Sequence, residues 1–236
     1  MKPTIVLVHG AGANASAWAP TLDAWTWADV RCPNLPGRGD SDGPARATVA
    51  ELARALSRSL QSELDGAIVV GHSLGGGVAL QLALDEPERL AGVVLVSSAS
   101  RLRVSPMILA AAAAATPETP MPLEFAFGPG ADPAIVGRYA QLCASTPPAS
   151  TLADWQACDS FDVRARVGSV ACPVLIVHGA RDVLTLAKYQ VMLADALPDA
   201  ERVELAGAGH MLPWEDAPAL SQAVRAWWAR RLEPRP

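Results

Sequence analysis

The sequence predicts an α/β fold, a doubly wound and mostly parallel sheet of about six core strands, on three observations. Short runs rich in Val, Ile and Leu recur, each is followed by Gly or a turn, and segments of helical period stand between them. A run that is apolar at nearly every position suits a strand buried on both faces, which a sheet with helices on both sides provides. The runs are residues 4–8, 67–70, 92–96, 173–177 and 202–205, with a weaker one near 28–31. With 236 residues, half of them hydrophobic, the chain has enough apolar surface for one core without disulfide or metal support.

The helices follow in order. Thr48 opens the first, with Glu51 three residues on to complete a capping box and Val49, Leu52, Leu56, Leu60 and Leu64 along one face. A second opens just after Ser73 and ends before Pro87. A third covers residues 185–197 and stops at Pro198, and the last opens near Asp216 with Leu220, Val224, Trp227 and Trp228 on its buried side. Residues 101–167 break this rhythm with an Ala run, three closely spaced prolines and scattered aromatics. They predict a helical insertion, a lid between two core strands, leaving 1–100 and 168–236 as the core.

Several function classes are disfavoured by composition. The net charge of -5 comes from acids and bases mixed along the chain, with no basic block to follow a phosphate backbone, so no nucleic-acid partner is expected. Cys32, Cys143, Cys158 and Cys172 lack the close pairing of a zinc or redox site, and no metal or organic cofactor is expected. Residues 1–9 run straight into a strand and no apolar run reaches about eighteen residues, so a cytoplasmic protein without a membrane partner is the expectation. The preference for Arg over Lys and the many alanines suggest a GC-rich bacterial genome.

The chemistry concentrates at four loops that follow strands. Gly71-His72-Ser73-Leu74-Gly75 lies between a strand and a helix, where small neighbours let a sharp turn close and lift the serine hydroxyl above the sheet. A hydroxyl needs a base, and the chain has four histidines. His9 and His178 sit between a strand and a glycine, and His72 points the wrong way along the turn. His210, in the loop Gly207-Ala208-Gly209-His210 after the last strand, can reach over the carboxyl end of the sheet. Asp182 follows the strand before it and arrives at the same end, where a carboxylate would orient the imidazole. The loop His9-Gly10-Ala11-Gly12-Ala13 offers backbone donors, and the Ala11 and Leu74 amides are the candidates for an oxyanion hole; a plain glycine turn is compatible with the same loop.

With these four parts in register, the chain resembles the α/β-hydrolase superfamily over nearly its whole length, in the carrier-protein methyl esterase and small esterase branch. The segment Pro33-Asn34-Leu35-Pro36-Gly37-Arg38-Gly39-Asp40-Ser41 resembles that family's D-x-P-G-x-G-x-S loop, with Asn34 where Asp is common. The resemblance implies a serine hydrolase with Ser73, Asp182 and His210 as its triad. Ser73 in place of an aspartate disfavours dehalogenase and epoxide hydrolase chemistry, and Met211 after His210, where the lyases of the family carry Lys, disfavours that role. A carboxylesterase for small to medium acyl esters is the first expectation. Carbon-carbon bond hydrolase, thioesterase and perhydrolase remain alternatives on the same triad, and a non-catalytic small-molecule receptor is the alternative of another class. Met107, Met121, Phe125, Phe127, Trp155 and Met211 are the candidates for a substrate pocket, and the chain is expected as a monomer or homodimer.

Overall fold

The computed structural model describes residues 2–41, 43–128 and 130–233. Its sheet contains β1 (Thr4–Val8), β2 (Asp29–Arg31), β3 (Ile68–His72), β4 (Gly92–Val96), β5 (Val174–Gly179) and β6 (Ala200–Leu205). All six pair in parallel, in the order β2-β1-β3-β4-β5-β6. Every expected apolar run becomes a strand. β1, β3, β4 and β5 are the buried centre, while the edges are blunted by charge, Asp29 and Arg31 on β2 and Arg202 and Glu204 on β6.

Strand periodicity divides the core in two. Val6, Val8, Val69, Val93, Leu95, Val174 and Ile176 face the layer containing α1 (Val49–Leu60), α2 (Leu74–Asp85) and, further along the chain, the helix at Ala187–Ala196. Their neighbours Ile5, Leu7, Ile68, Val70, Val94, Val96, Leu175 and Val177 face a 3-10 helical run, Ala15–Trp25, and the last helix, Ala217–Arg231. The sequence pattern did not anticipate the 3-10 run, which buries Trp18 and Trp25. Thr48 caps α1 as expected, its hydroxyl accepting from the Glu51 amide at 3.3 Å, but α1 ends at Leu60 and Leu64 is buried from a separate 3-10 turn.

Between β4 and β5 come α3 (Pro106–Ala114), α4 (Pro133–Ala144) and α5 (Pro148–Ser160), each opening on a proline that suits the first helical turn. The remaining helices are α6 (Ala187–Ala196), the short α7 (Leu212–Glu215) and α8 (Ala217–Arg231). α6 starts two residues later than expected because Thr185 is bound to Asp182 instead. Asp216 caps α8 by accepting from the Ala219 amide at 3.1 Å; Trp227 is fully buried, while Trp228 is only half-buried and stacks on Trp27. Among the described residues no helix is long and apolar enough to cross a membrane.

The strand order reverses direction between β1 and β3. Loops leaving the carboxyl ends of these two strands diverge to opposite faces and open a crevice, the position where a parallel sheet receives a ligand.

Candidate active site

Ser73 stands at that crevice, between the end of β3 and the start of α2, with φ at +53°. Such a backbone is costly for a side chain with a Cβ and persists only where its surroundings impose it. Here the Ser73 amide donates to Val96 O at 2.9 Å, and its carbonyl accepts from the Gly76 amide at 2.9 Å and from Ser98 Oγ at 2.8 Å. A Cβ at Gly71 would collide with the Gly75 carbonyl, and one at Gly75 with the Val8 carbonyl, so both glycines of the motif are steric requirements. The serine side chain does not cap α2, which leaves its hydroxyl facing the crevice.

Asp182 and His210 meet beside it although 28 residues separate them: His210 Nδ1 donates to Asp182 Oδ2 at 2.9 Å, and both residues are 4% exposed. The carboxylate also accepts from the Thr185 hydroxyl at 2.6 Å, the Thr185 amide at 2.8 Å and the Leu184 amide at 2.9 Å. Burial by itself would raise the Asp182 pKa, but the charge and hydrogen bond of His210, with the Thr185 donors, outweigh it and bring it down to about 2. The acid is therefore ionised at neutral pH, and fixing the proton on Nδ1 leaves Nε2 as the basic nitrogen. Ser73 and His210 line the same cavity without a hydrogen bond between them, a looseness common in unliganded sites.

The His210 loop is held by residues that sequence reasoning missed. Glu215, at the end of α7, accepts from the Gly209 amide at 2.7 Å and the Met211 amide at 2.9 Å, clamping the chain on both sides of the histidine. His72 Nε2 lies 2.9 Å from the His210 carbonyl and donates to it. Burial, then the neighbouring His210, push the His72 pKa down to about 3, so the ring stays neutral. His9 is lowered to about 3, by burial and then by Arg38, and its Nε2 accepts from the Leu35 amide at 3.2 Å. Two of the three histidines that the sequence sets aside as bases therefore hold loops in place.

The amides of Ala11 and Leu74 are bonded to no protein acceptor among the described residues, whereas the next amide on the first loop, Gly12, donates to Asp154 Oδ2 at 2.9 Å. Asp154 comes from α5 and forms a fully buried ion pair with Arg38, at 2.5 and 2.7 Å. Arg38 in turn donates to Ala13 O at 3.0 Å. One carboxylate thus ties the helical insertion, the β1 loop and the Pro33-to-Ser41 loop together. A Gly or Ala loop has no side chains to fix its own conformation, and this pair supplies that constraint.

Two chambers meet at Ser73. The larger, about 600 Å³, lies between the segment after β4, α3, α5 and the start of α6. The smaller, about 20 Å³, is bounded by Ala11, Leu123, Ala126, Tyr139 and Met211 and has room for about one water. Trp155 lines both and Met211 the smaller, as the sequence suggested. The other four pocket candidates stand elsewhere. Met107 is on the outer side of α3, 78% exposed; Met121 lines a separate small gap beside Gly12; the partly exposed Phe125 packs on Trp155 at 6.5 Å and the buried Phe127 on Tyr139 at 5.6 Å, and neither lines the two chambers. Apolar character marked them, but burial in an insertion is satisfied by packing as readily as by lining a cavity. The actual wall includes Leu184 and, from the α6 side, Leu186, Tyr189 and Met192, which the sequence places in a core helix over residues 185–197.

A hydroxyl on a strained turn, an imidazole oriented by an ionised carboxylate and two nearby amides without a protein acceptor among the described residues are equipment for nucleophilic attack on a carbonyl. Known proteins agree at the level of family. Residues 5–223 match the alpha/beta hydrolase family. The chain is 33% identical to the pimeloyl-[acyl-carrier protein] methyl ester esterase of Aromatoleum aromaticum, over 89% of this chain and 91% of that protein. It is 30% identical to the provisionally named carbamate hydrolase RutD of Caulobacter vibrioides, over 94% and 89% respectively. Among solved structures, a hydrolase from Pseudomonas aeruginosa superposes with a TM-score of 0.84 at 27% identity, covering 96% of this chain and 89% of that one. A parallel sheet with a strained strand-to-helix serine turn at the switch point, matched by a family over nearly its full length, makes this chain a member of the alpha/beta hydrolase family.

Proposed function

We propose that the protein is a serine carboxylesterase that hydrolyses small to medium acyl esters through an acyl-enzyme on Ser73. The observation that carries this reading is the Asp182–His210 hydrogen bond at 2.9 Å, formed on the wall of the cavity into which the Ser73 elbow opens. Ser73 Oγ attacks the ester carbonyl carbon as His210 Nε2 takes its proton. The negative oxygen that develops accepts hydrogen bonds from the Ala11 and Leu74 amides, donors that no other acceptor among the described residues occupies. Collapse expels the alcohol, which receives the proton from His210 and leaves the acyl group on Ser73. Water then attacks the acyl-enzyme with His210 again accepting the proton, and the serine is restored.

Asp182 keeps the imidazole in the required tautomer and favours its protonated form in both steps. The methyl ester esterase among the relatives supports ester over other acyl bonds, and the small chamber supports a compact group, water or a short alcohol, on that side of Ser73. The test is turnover of p-nitrophenyl acetate, butyrate and octanoate by the wild type and Ser73→Ala. Turnover that disappears in a folded Ser73→Ala supports the reading; turnover that survives the substitution removes it.

A further inference from the structure

The larger chamber is lined by two unlike kinds of residue. Leu184, Leu186 and Met192 contribute apolar surface, and Arg101, Arg103 and Arg164 contribute three guanidinium groups to the same lining. Among the described residues no Asp or Glu lines the cavity, although acids outnumber bases 24 to 19 in the chain as a whole. Asp162 is shared by two of these arginines: Arg164 engages it with two side-chain hydrogen bonds, at 2.8 and 2.6 Å, while Arg101 reaches it only at 3.7 Å. Asp159 accepts from the Val104 amide at 3.1 Å. Arg103 forms no ion pair among the described residues. Arg103 is therefore left without a carboxylate partner beside the nucleophile's cavity, and Arg101 has only a long one that it shares with Arg164, in a protein that is acidic overall.

A neutral ester has no use for such a lining. A carboxylate at the far end of an acyl chain would accept paired N–H donors from a guanidinium while its methylenes lie against the apolar surface. We propose that the cavity selects esters whose acyl chain ends in a carboxylate, that is, monoesters of dicarboxylic acids, with Arg103 as the main anion contact and Arg101 beside it. This rests on the esterase reading of the same site.

A chain-matched pair of substrates isolates the charge. Monomethyl adipate and methyl hexanoate differ only in carrying a carboxylate or a methyl group at the end of the acyl chain. The wild type should favour monomethyl adipate by about tenfold in kcat/KM at low ionic strength, chiefly through KM. The preference should shrink in 0.5 M NaCl because the arginines are exposed to screening. Arg103→Gln should cut the adipate-to-hexanoate ratio by roughly fivefold, and Arg103→Lys, which keeps the charge, should retain most of it. An equal or reversed preference in the wild type, or a ratio that Arg103→Gln does not move, overturns the proposal.

Calorimetric titration of Ser73→Ala with adipate reads the anion site without catalysis. Binding that weakens in Ser73→Ala/Arg103→Gln supports the site even if no ester is turned over, in which case it is the esterase reading that fails. Ester turnover without Arg103-dependent adipate binding sinks the anion site alone.

Discussion

At the scale of single residues, the site depends on polar groups whose partners leave them one option. Asp182 accepts four hydrogen bonds and is ionised with a pKa of about 2. Asp182→Asn keeps the shape but presents an amide that can donate to His210, which favours the tautomer with its basic nitrogen turned away from Ser73. We expect kcat on p-nitrophenyl butyrate to fall by about 10⁴ with little change in KM; a loss below tenfold would show that the imidazole is oriented by something else. Asn34 illustrates a departure from the family pattern that has a local cause. Its side-chain amide donates to Asp40 Oδ1 at 2.7 Å while its oxygen accepts from the Ala15 amide at 2.8 Å. Asp at this position would set two carboxylates against each other, so Asn34→Asp should cost about 1 kcal/mol at pH 7. Adding Asp40→Asn should recover it, with both changes read from urea unfolding midpoints.

At the scale of elements, what positions the chemistry is a set of clamps between segments far apart in sequence. Glu215 holds the two amides flanking His210, and Glu215→Ala should free that loop and lower kcat by roughly 10- to 100-fold. Folding should survive, so a preserved thermal midpoint with reduced turnover is the expected pair of readings. The Asp154–Arg38 pair behaves differently because both side chains are fully buried. Burial raises the Asp154 pKa and the Arg38 charge opposes that rise. Asp154→Ala strands a buried guanidinium, an expected loss of about 3–5 kcal/mol in urea unfolding, and it also releases the Gly12 amide beside the proposed oxyanion donor. The central strands were legible as short runs apolar at nearly every position and most helices by their repeating period, and Ser73, Asp182 and His210 because each terminates or follows such an element. The clamps were not. Asp154 meets Gly12 across 142 residues and His72 meets the His210 carbonyl across 138, and no local pattern encodes a partner at that range. The run Ala15–Trp25 escaped for a local reason: a 3-10 path with Pro20 inside it breaks the 3.6-residue period by which helices are recognised.

At the scale of the whole molecule, placing a ligand crevice over the ends of buried strands forces polar side chains into the core. His9 and His72 each terminate or follow a central strand, are fully buried, and are held neutral with pKa values of about 3 against an ordinary 6.5. The unfolded chain takes up protons at these positions as pH falls below 6.5, whereas the folded chain does so only near 3. Protonation therefore favours the unfolded state throughout that window, and the stability the two histidines confer at pH 7 is progressively lost on acidification. At pH 5 the gap amounts to about 2 kcal/mol apiece, or about 4 kcal/mol together. Asp182, depressed from 3.8 to about 2, loses its own contribution only between those values and so does not obscure the upper window. The urea midpoint should thus drop between pH 7 and pH 5 by far more than surface carboxylates could cause, since those remain largely ionised over that range. His72→Gln, which can still donate to the His210 carbonyl but does not titrate, should flatten about half of the pH dependence contributed by the pair. A midpoint that does not move between pH 7 and pH 5 would mean that these rings gain their protons without opening the fold, and that the loops they hold are looser than their hydrogen bonds imply.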